Sequence, residues 1–193
     1  MKLFNYSFSS FVFLAFFSFT LIIDGCAPKT RPPVSTIGTP AHHVFSGMKL
    51  LEKGKLLDAE REFINAKELD PKYSPAYRGL GLISGYKGDF KSAFKHMSRA
   101  KRLAKRKEEK ALAYVGFMRL YTQQKGKDWL HDVEDNFNKA KLIDKDLPDS
   151  YFYMGSAYKE AHRFGDAAEA FKKVLEINKT FIEEADHQLK VVQ

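Results

Sequence analysis

The feature that most constrains this chain is a recurrence at a spacing of 34 residues. The stretch from Phe45 to Pro71, FSGMKLLEKGKLLDAEREFINAKELDP, sets Gly47, Ala59, Phe63, Ala66 and Leu69 at helical intervals, with Gly54 between two apolar-periodic runs. One spacing further on, Gly81, Gly88, Ala93, Met97, Ala100 and Leu103 stand in the same places. Each copy reads as two helices joined at a glycine turn, and Pro71 closes the first because its ring cannot continue a helix. A hairpin this small cannot bury its own apolar face, so the copies must stack on one another. That requirement predicts an all-α chain.

Two further copies follow. The last is YFYMGSAYKEAHRFGDAAEAFKKVLEI, which holds Tyr151, Met154, Gly155, Tyr158, Ala167, Phe171 and Ile177. The third is irregular: Leu112 and Gly116 mark its first helix, and Val133, Phe137 and Ala140 its second. Gly81 to Gly116 is 35 residues whereas Ala100 to Ala140 is 40, which places about five additional residues in the third turn, around QQKGKDWLHD and the single tryptophan, Trp129. An insertion there projects from one rim and leaves the stacking intact, and Trp129 is read as filling a gap against the longer helix. After Asn178, the residues Phe181, Ile182, Ala185, Leu189 and Val192 form one apolar stripe with Glu183, Glu184, Asp186 and Lys190 opposite, the pattern of a capping helix. The copies fall at about 41–73, 74–106, 108–147 and 148–179, with the cap at 180–193, all within a domain spanning 41–193.

An aromatic followed three residues on by Leu-Gly (Tyr77, Leu80, Gly81), a Gly-Asp-Phe turn, then Ala93, Met97 and Ala100, resembles the tetratricopeptide repeat. The resemblance covers the chain from about residue 41 onward and implies a right-handed α-solenoid of about four hairpins plus a C-terminal cap. It also implies a protein or peptide partner held in the concave groove that the first helices line. Carried over residue by residue, the groove positions are Val44, Met48 and Leu51, then Arg78, Leu82 and Tyr86, then Lys110, Ala113, Phe117 and Tyr121, then Phe152, Ser156 and Lys159. The partner-binding set expected from these is Arg78, Leu82, Tyr86, Lys110, Phe117, Tyr121, Phe152 and Lys159. Aromatic and basic side chains together suit an acidic or amphipathic segment. Co-chaperone repeats that grip a terminal carboxylate carry Lys and Asn at positions matched here by Val44, Met48 and Leu82, so that clamp is not expected.

The first 25 residues begin Met1-Lys2, run through an apolar block from Phe8 to Ile23 and end at Ile23-Asp24-Gly25-Cys26. The block has signal-peptide length and is short for a bilayer span. Its end resembles the bacterial lipobox, with Asp24 as the departure. The resemblance implies that Cys26 carries the lipid and its acyl chains, of the palmitate kind, and becomes the mature N-terminus. Residues 26–40, with Pro28, Pro32, Pro33 and Pro40, read as an extended tether. Ala27 after the cysteine favours the outer membrane over the inner, with the domain facing the periplasm. With one cysteine, no intramolecular disulfide can form.

The formal charge of +8 admits nucleic acid, anionic lipid or an acidic partner, and an exported chain argues against the first. Six cations between residues 101 and 110, namely Lys101, Arg102, Lys105, Arg106, Lys107 and Lys110, suit either lipid headgroups or a solvated helix end. No nucleophile with a base, paired carboxylates, phosphate loop or metal spacing stands out, and the adjacent His42 and His43 diverge on a helix, so neither cofactor nor metal is expected. The sequence is read as a membrane-anchored, non-catalytic scaffold of the bacterial envelope, as in envelope- or pilus-assembly lipoproteins with similar repeats. The alternative is an accessory subunit of a cell-wall enzyme, or a protein that binds peptidoglycan directly.

Overall fold

The computed structural model of the protein describes residues 38–192. The signal segment, Cys26 and the tether up to residue 37 lie outside the described residues. Among the described residues there are nine helices and no strand. They run α1 (Pro40–Glu52), α2 (Leu56–Leu69), α3 (Ser74–Tyr86), α4 (Phe90–Leu103), α5 (Lys107–Gln124), α6 (Trp129–Ile143), α7 (Pro148–Glu160), α8 (Phe164–Ile177) and α9 (Ile182–Val192). None of these helices is long and apolar enough to cross a membrane.

Local chemistry sets the helix ends. Thr39 accepts a hydrogen bond on its hydroxyl from the His42 amide at 3.2 Å, and Pro40 opens α1 where no intrahelical donor is needed. Asp89 caps α4 in the same way through the Ser92 amide at 3.0 Å. In the first two hairpin turns Gly54 and Gly88 take left-handed φ values of 70° and 78°, the conformation glycine adopts without steric cost. His162 fills that role in the fourth turn at φ 57°. All three turns share one hydrogen-bond pattern, Lys55 to Leu50, Asp89 to Ser84 and Arg163 to Tyr158, each an amide reaching back five residues to satisfy an orphan carbonyl. The third turn has only a shorter loop-back, from the Lys125 amide to Tyr121.

Stacking follows from large side chains on second helices meeting glycines on first helices, on one first helix for Phe171 and on two for Phe63 and Met97. Phe63, Met97 and Phe171 are fully buried. A Cβ at Gly47 would lie 2.7 Å from the Phe63 ring, one at Gly81 3.1 Å from the Met97 methyl, and one at Gly155 2.8 Å from the Phe171 ring. These are contacts within one hairpin. Between hairpins, Gly79 presses on Phe63 and Gly116 on Met97, with built Cβ distances of 2.3 and 2.4 Å.

That second pair corrects the expected register of the third hairpin. Gly116 faces the preceding hairpin, so its counterpart is Gly79, and the place of Gly81 is taken by Met118, which is fully buried. Ala66 to Gly81 is 15 residues and Ala100 to Met118 is 18, while Gly81 to Ala93 is 12 and Met118 to Val133 is 15. The additional residues are therefore divided on either side of Met118 instead of sitting in the turn, and α5 has 18 residues where α3 has 13. Lengthening a helix keeps every added backbone group hydrogen-bonded, which an enlarged loop does not. Trp129, at the start of α6, is half-buried against the Val115, Met118 and Val133 cluster.

The junctions between hairpins repeat as well. Tyr77 donates its hydroxyl to the Pro71 carbonyl at 2.9 Å, and Tyr151 to the Lys145 carbonyl at 2.8 Å. The core is continuous through Tyr114 and Tyr121, which pack against both the cluster of the first two hairpins and that of the third. At the far end α9 seals Ala167, Phe171 and Val174 with Ala185, all fully buried.

Candidate functional site

Because the second helices take the outer layer, the first helices α1, α3, α5 and α7 share an inner surface, and α9 closes its end. A cavity of about 250 Å³ sits there, lined by Met48, Leu51 and Glu52 from α1, Arg78, Leu82 and Tyr86 from α3, Val115, Gly116 and Arg119 from α5, Asp149 and Tyr153 from α7, and Phe181 and Glu184 at the cap. Five elements that are distant in sequence meet at this point.

The cavity has a defined electrostatic centre. Arg119 donates a guanidinium hydrogen bond to the Tyr86 hydroxyl at 3.0 Å and lies over the Tyr153 ring, 4.6 Å from its centroid. A guanidinium on an aromatic face is attracted by the ring quadrupole and held in a fixed orientation. Among the described residues neither Arg78 nor Arg119 forms an ion pair. Burial pushes the Arg78 guanidinium below its ordinary value, with the charge of Asp149 opposing that shift and the charge of Arg119 adding to it. Burial likewise pushes the Asp149 carboxyl up, and Arg78 pulls it back. Tyr153 is pushed up chiefly by burial, against the pull of Arg119. Two guanidinium groups thus share a partly dry groove with Asp149 between the helices and with Glu52 and Glu184 on its lining, so the basic character is local to Arg78 and Arg119 and is not the net charge of the cavity.

A second cavity of about 460 Å³ continues along the same surface, lined by Thr122, Gln123 and Lys125 of α5, its C-cap included, by Phe152, Ser156, Lys159 and Glu160 of α7, and by Gln188 of α9. Lys159 donates to the Gln188 side-chain oxygen at 2.6 Å and Lys125 pairs with Glu160 at 2.7 Å.

Of the residues singled out from sequence, Arg78, Leu82 and Tyr86 come together in the first cavity, and Phe152 and Lys159 line the second. Leu82 lies on the cavity floor with 1% of its surface exposed, whereas Tyr86 stands out at 47%. Phe117 and Tyr121 go elsewhere: they pack on Phe94 of α4, with ring centroids at 6.2 and 4.8 Å, and Phe117 is only 7% exposed. Lys110 is exposed on α5 and lines neither cavity. The two-residue difference in register is the cause. Counting from Met118 in place of Gly116 puts Val115 and Arg119 at the positions of Arg78 and Leu82, and both line the groove. Sequence reasoning also missed Asp149, which looks like an ordinary acidic residue in a first helical turn, and Tyr153, which stands at the place taken by Gly79 in the second hairpin.

The fold and its groove can now be set beside known proteins. A family model described as the tetratricopeptide repeat matches residues 148–181, the fourth hairpin and the start of the cap. The chain is similar to Cut9–Hcn1, described as the APC/C hetero-tetramer, with 20% identity and a TM-score of 0.58 over 80% of this chain and 30% of that one. It therefore spans less than a third of that chain's length. It is also similar to TTC0263, a thermophilic tetratricopeptide-repeat protein of Thermus thermophilus, with 19% identity and a TM-score of 0.61 over 79% of this chain and 80% of that one. No curated protein sequence matches. Identities this low speak to the fold alone. The chain carries a tetratricopeptide repeat in its fourth hairpin and has the fold of a tetratricopeptide-repeat solenoid.

Proposed function

We propose that this protein is a membrane-tethered adaptor that holds an acidic or amphipathic segment of a protein partner in the groove between Arg78 and Arg119. The observation that carries the reading is the meeting in one cavity of these two guanidinium groups, neither in an ion pair among the described residues, with the Tyr86 hydroxyl and the Tyr153 ring. A carboxylate entering there exchanges water for two charge-assisted donors, the stronger class of hydrogen bond. Tyrosine rings add contact area with little side-chain entropy to lose. The lipobox-like end at Cys26 and the proline-rich tether support the anchor in this reading, with the domain in the bacterial cell envelope and facing the periplasm from the outer membrane.

Affinity capture from crosslinked cells with identification by mass spectrometry tests this. The double variant Arg78→Ala and Arg119→Ala is expected to lose the partner that the unaltered protein captures, and capture that survives both substitutions removes the groove from consideration. Binding of the purified protein to peptidoglycan with no other protein present would replace this reading with the cell-wall one. The mass of the mature N-terminus tests the anchor, since an unmodified Cys26 rules out the lipoprotein.

A further inference from the structure

On the outer layer, away from the groove, α2 and α4 enclose a cavity of about 660 Å³ whose charged lining is Lys67, Lys95, Arg99 and Arg102 against the single carboxylate of Glu68. His96 lies within it, half-buried and stacked on Tyr77 with ring centroids 6.3 Å apart. Five cations on other helices, Arg61, Lys139, Lys172, Lys173 and Lys190, each pair with an acidic residue three or four places away on the same helix. That remedy is missing from α4. Its sequence, FKSAFKHMSRAKRL, holds Lys and Arg at five positions and no Asp or Glu. Among the described residues Lys67, Lys95, Arg99 and Arg102 form no ion pair.

Four cations that converge on one concavity repel one another and focus a positive field that draws an anion into it. One of the four is already oriented. The Arg99 guanidinium lies over the Tyr77 ring at 4.6 Å from its centroid, which fixes its plane and reduces what is lost on binding. Because positive charge converges from two helices, the complementary ligand is compact and carries more than one negative charge. A carboxylate carries one; a phosphate carries about 1.5 to 2 near pH 7 and offers three acceptor oxygens.

We infer that the α2–α4 cleft is a binding site for a phosphate group, held by Lys67, Lys95, Arg99 and Arg102 with His96 as a titrating fifth member. The group is a phosphate monoester, either on a lipid headgroup of the phosphatidic acid kind or on a free small molecule. The site is separate from the groove and does not depend on the partner reading. His96 faces Lys67 on α2, Lys95 and Arg99 on its own helix, Tyr77 on α3 and Asp89 at the start of α4. Burial first, and then the three cations, hold its imidazolium below the ordinary histidine value, with Asp89 pulling weakly the other way. A bound phosphate adds negative charge beside the ring, so it must raise the pKa of His96.

The test follows His96 by nuclear magnetic resonance of its ring signals in the full chain, at constant ionic strength, during addition of inorganic phosphate, of glycerol phosphate, or of phosphatidylcholine vesicles with and without a fifth of phosphatidic acid. A pKa of His96 that rises with inorganic phosphate or glycerol phosphate supports a free phosphate ligand; a rise only with the anionic vesicles supports the headgroup. Arg99→Gln combined with Lys95→Gln is expected to weaken binding about tenfold or more, with an unchanged far-ultraviolet spectrum. Lys172→Gln combined with Lys173→Gln, on α8, changes the same net charge outside the cleft and is expected to leave binding as it was. No response of His96 to any of these ligands, equal losses from the two double variants, or tighter binding of a poly-glutamate peptide than of phosphate would each overturn the proposal.

Discussion

The ring of Phe181 lies flat on that of Phe152, with centroids 4.6 Å apart and planes 13° from parallel, while the Phe181 backbone holds a φ of 60°. A bulky residue in the left-handed region stores about 1–3 kcal/mol of strain, which the stack on Phe152 and the edge contact with Tyr153 at 6.0 Å offset. The Phe181 carbonyl also starts α9 by accepting from the Ala185 amide at 2.8 Å. Phe181→Ala keeps the strain and loses the rings, so it should destabilise the domain by about 1–2 kcal/mol. Phe181→Gly loses the same rings but relaxes the backbone, and it should cost about 1 kcal/mol less than the alanine variant. Urea denaturation of the pair measures the difference; equal midpoints would show that the left-handed backbone carries no strain.

The glycines that admit one hairpin to the next should differ in tolerance. A Cβ at Gly79 meets the ring of Phe63, which is fully buried and rigid, while one at Gly116 meets the flexible end of Met97. Gly79→Ala is expected to cost about 2–3 kcal/mol and Gly116→Ala about 1 kcal/mol, because methionine repacks where a ring cannot. At Gly165, within α8 and with nothing near its Cβ, alanine should add about 0.4–1 kcal/mol of stability. Thermal melting of the three variants orders them.

Aromatic residues on α5 and α7 separate packing from contact with a partner. Phe117 is packed on Phe94, so Phe117→Ala should cost about 3 kcal/mol and reduce partner capture only in proportion to the folded protein lost. Arg78→Ala should leave stability within about 1 kcal/mol, since the removed charge was desolvated and unpaired, yet it should abolish capture. Comparing urea midpoints with pull-down yields for the same two variants separates these effects.

Stability should fall on acidification, in part because of His96. Its pKa in the folded protein is depressed below 6.5, chiefly by burial and then by Lys67, Lys95 and Arg99. The unfolded chain therefore binds a proton more readily, so the contribution of His96 is fully present above pH 6.5 and is lost as pH falls toward the folded value. His96→Gln should flatten the dependence of the melting temperature on pH from 6.5 downward. A variant with the same pH dependence as the unaltered protein would assign the loss to other groups.

The groove adds an opposing dependence. Asp149 is raised above 3.8, chiefly by burial, so the folded state holds its proton longer than the unfolded chain, and ionisation costs stability as pH climbs from 3.8 through the folded value. Asp149→Asn should remove that slope. It should also tighten binding of an acidic partner, because Arg78 and Arg119 lose the internal carboxylate that competes for them. Capture by the variant that equals or falls below that of the unaltered protein would count against an acidic partner.

By itself the sequence determined the repeating hairpin. Glycine and alanine at fixed positions against Phe63, Met97 and Phe171 leave helices only one way to approach, and Gly54 and Gly88 mark turns that need a left-handed residue; both constraints are local and can be read from spacing. Which residues face the groove in the third hairpin was decided only by tertiary structure. Gly116 fits a contact within its own hairpin or a contact with the preceding one equally well by spacing, and only its closeness to Met97 of α4 distinguishes them. A shift of two residues turns a helix through more than half a revolution. It carries Phe117 and Tyr121 onto Phe94 and brings Arg119 to Tyr86. The basic cleft on the outer layer has the same origin, since Lys67 and Arg99 stand 32 positions apart in the chain and become neighbours only when α2 and α4 stack.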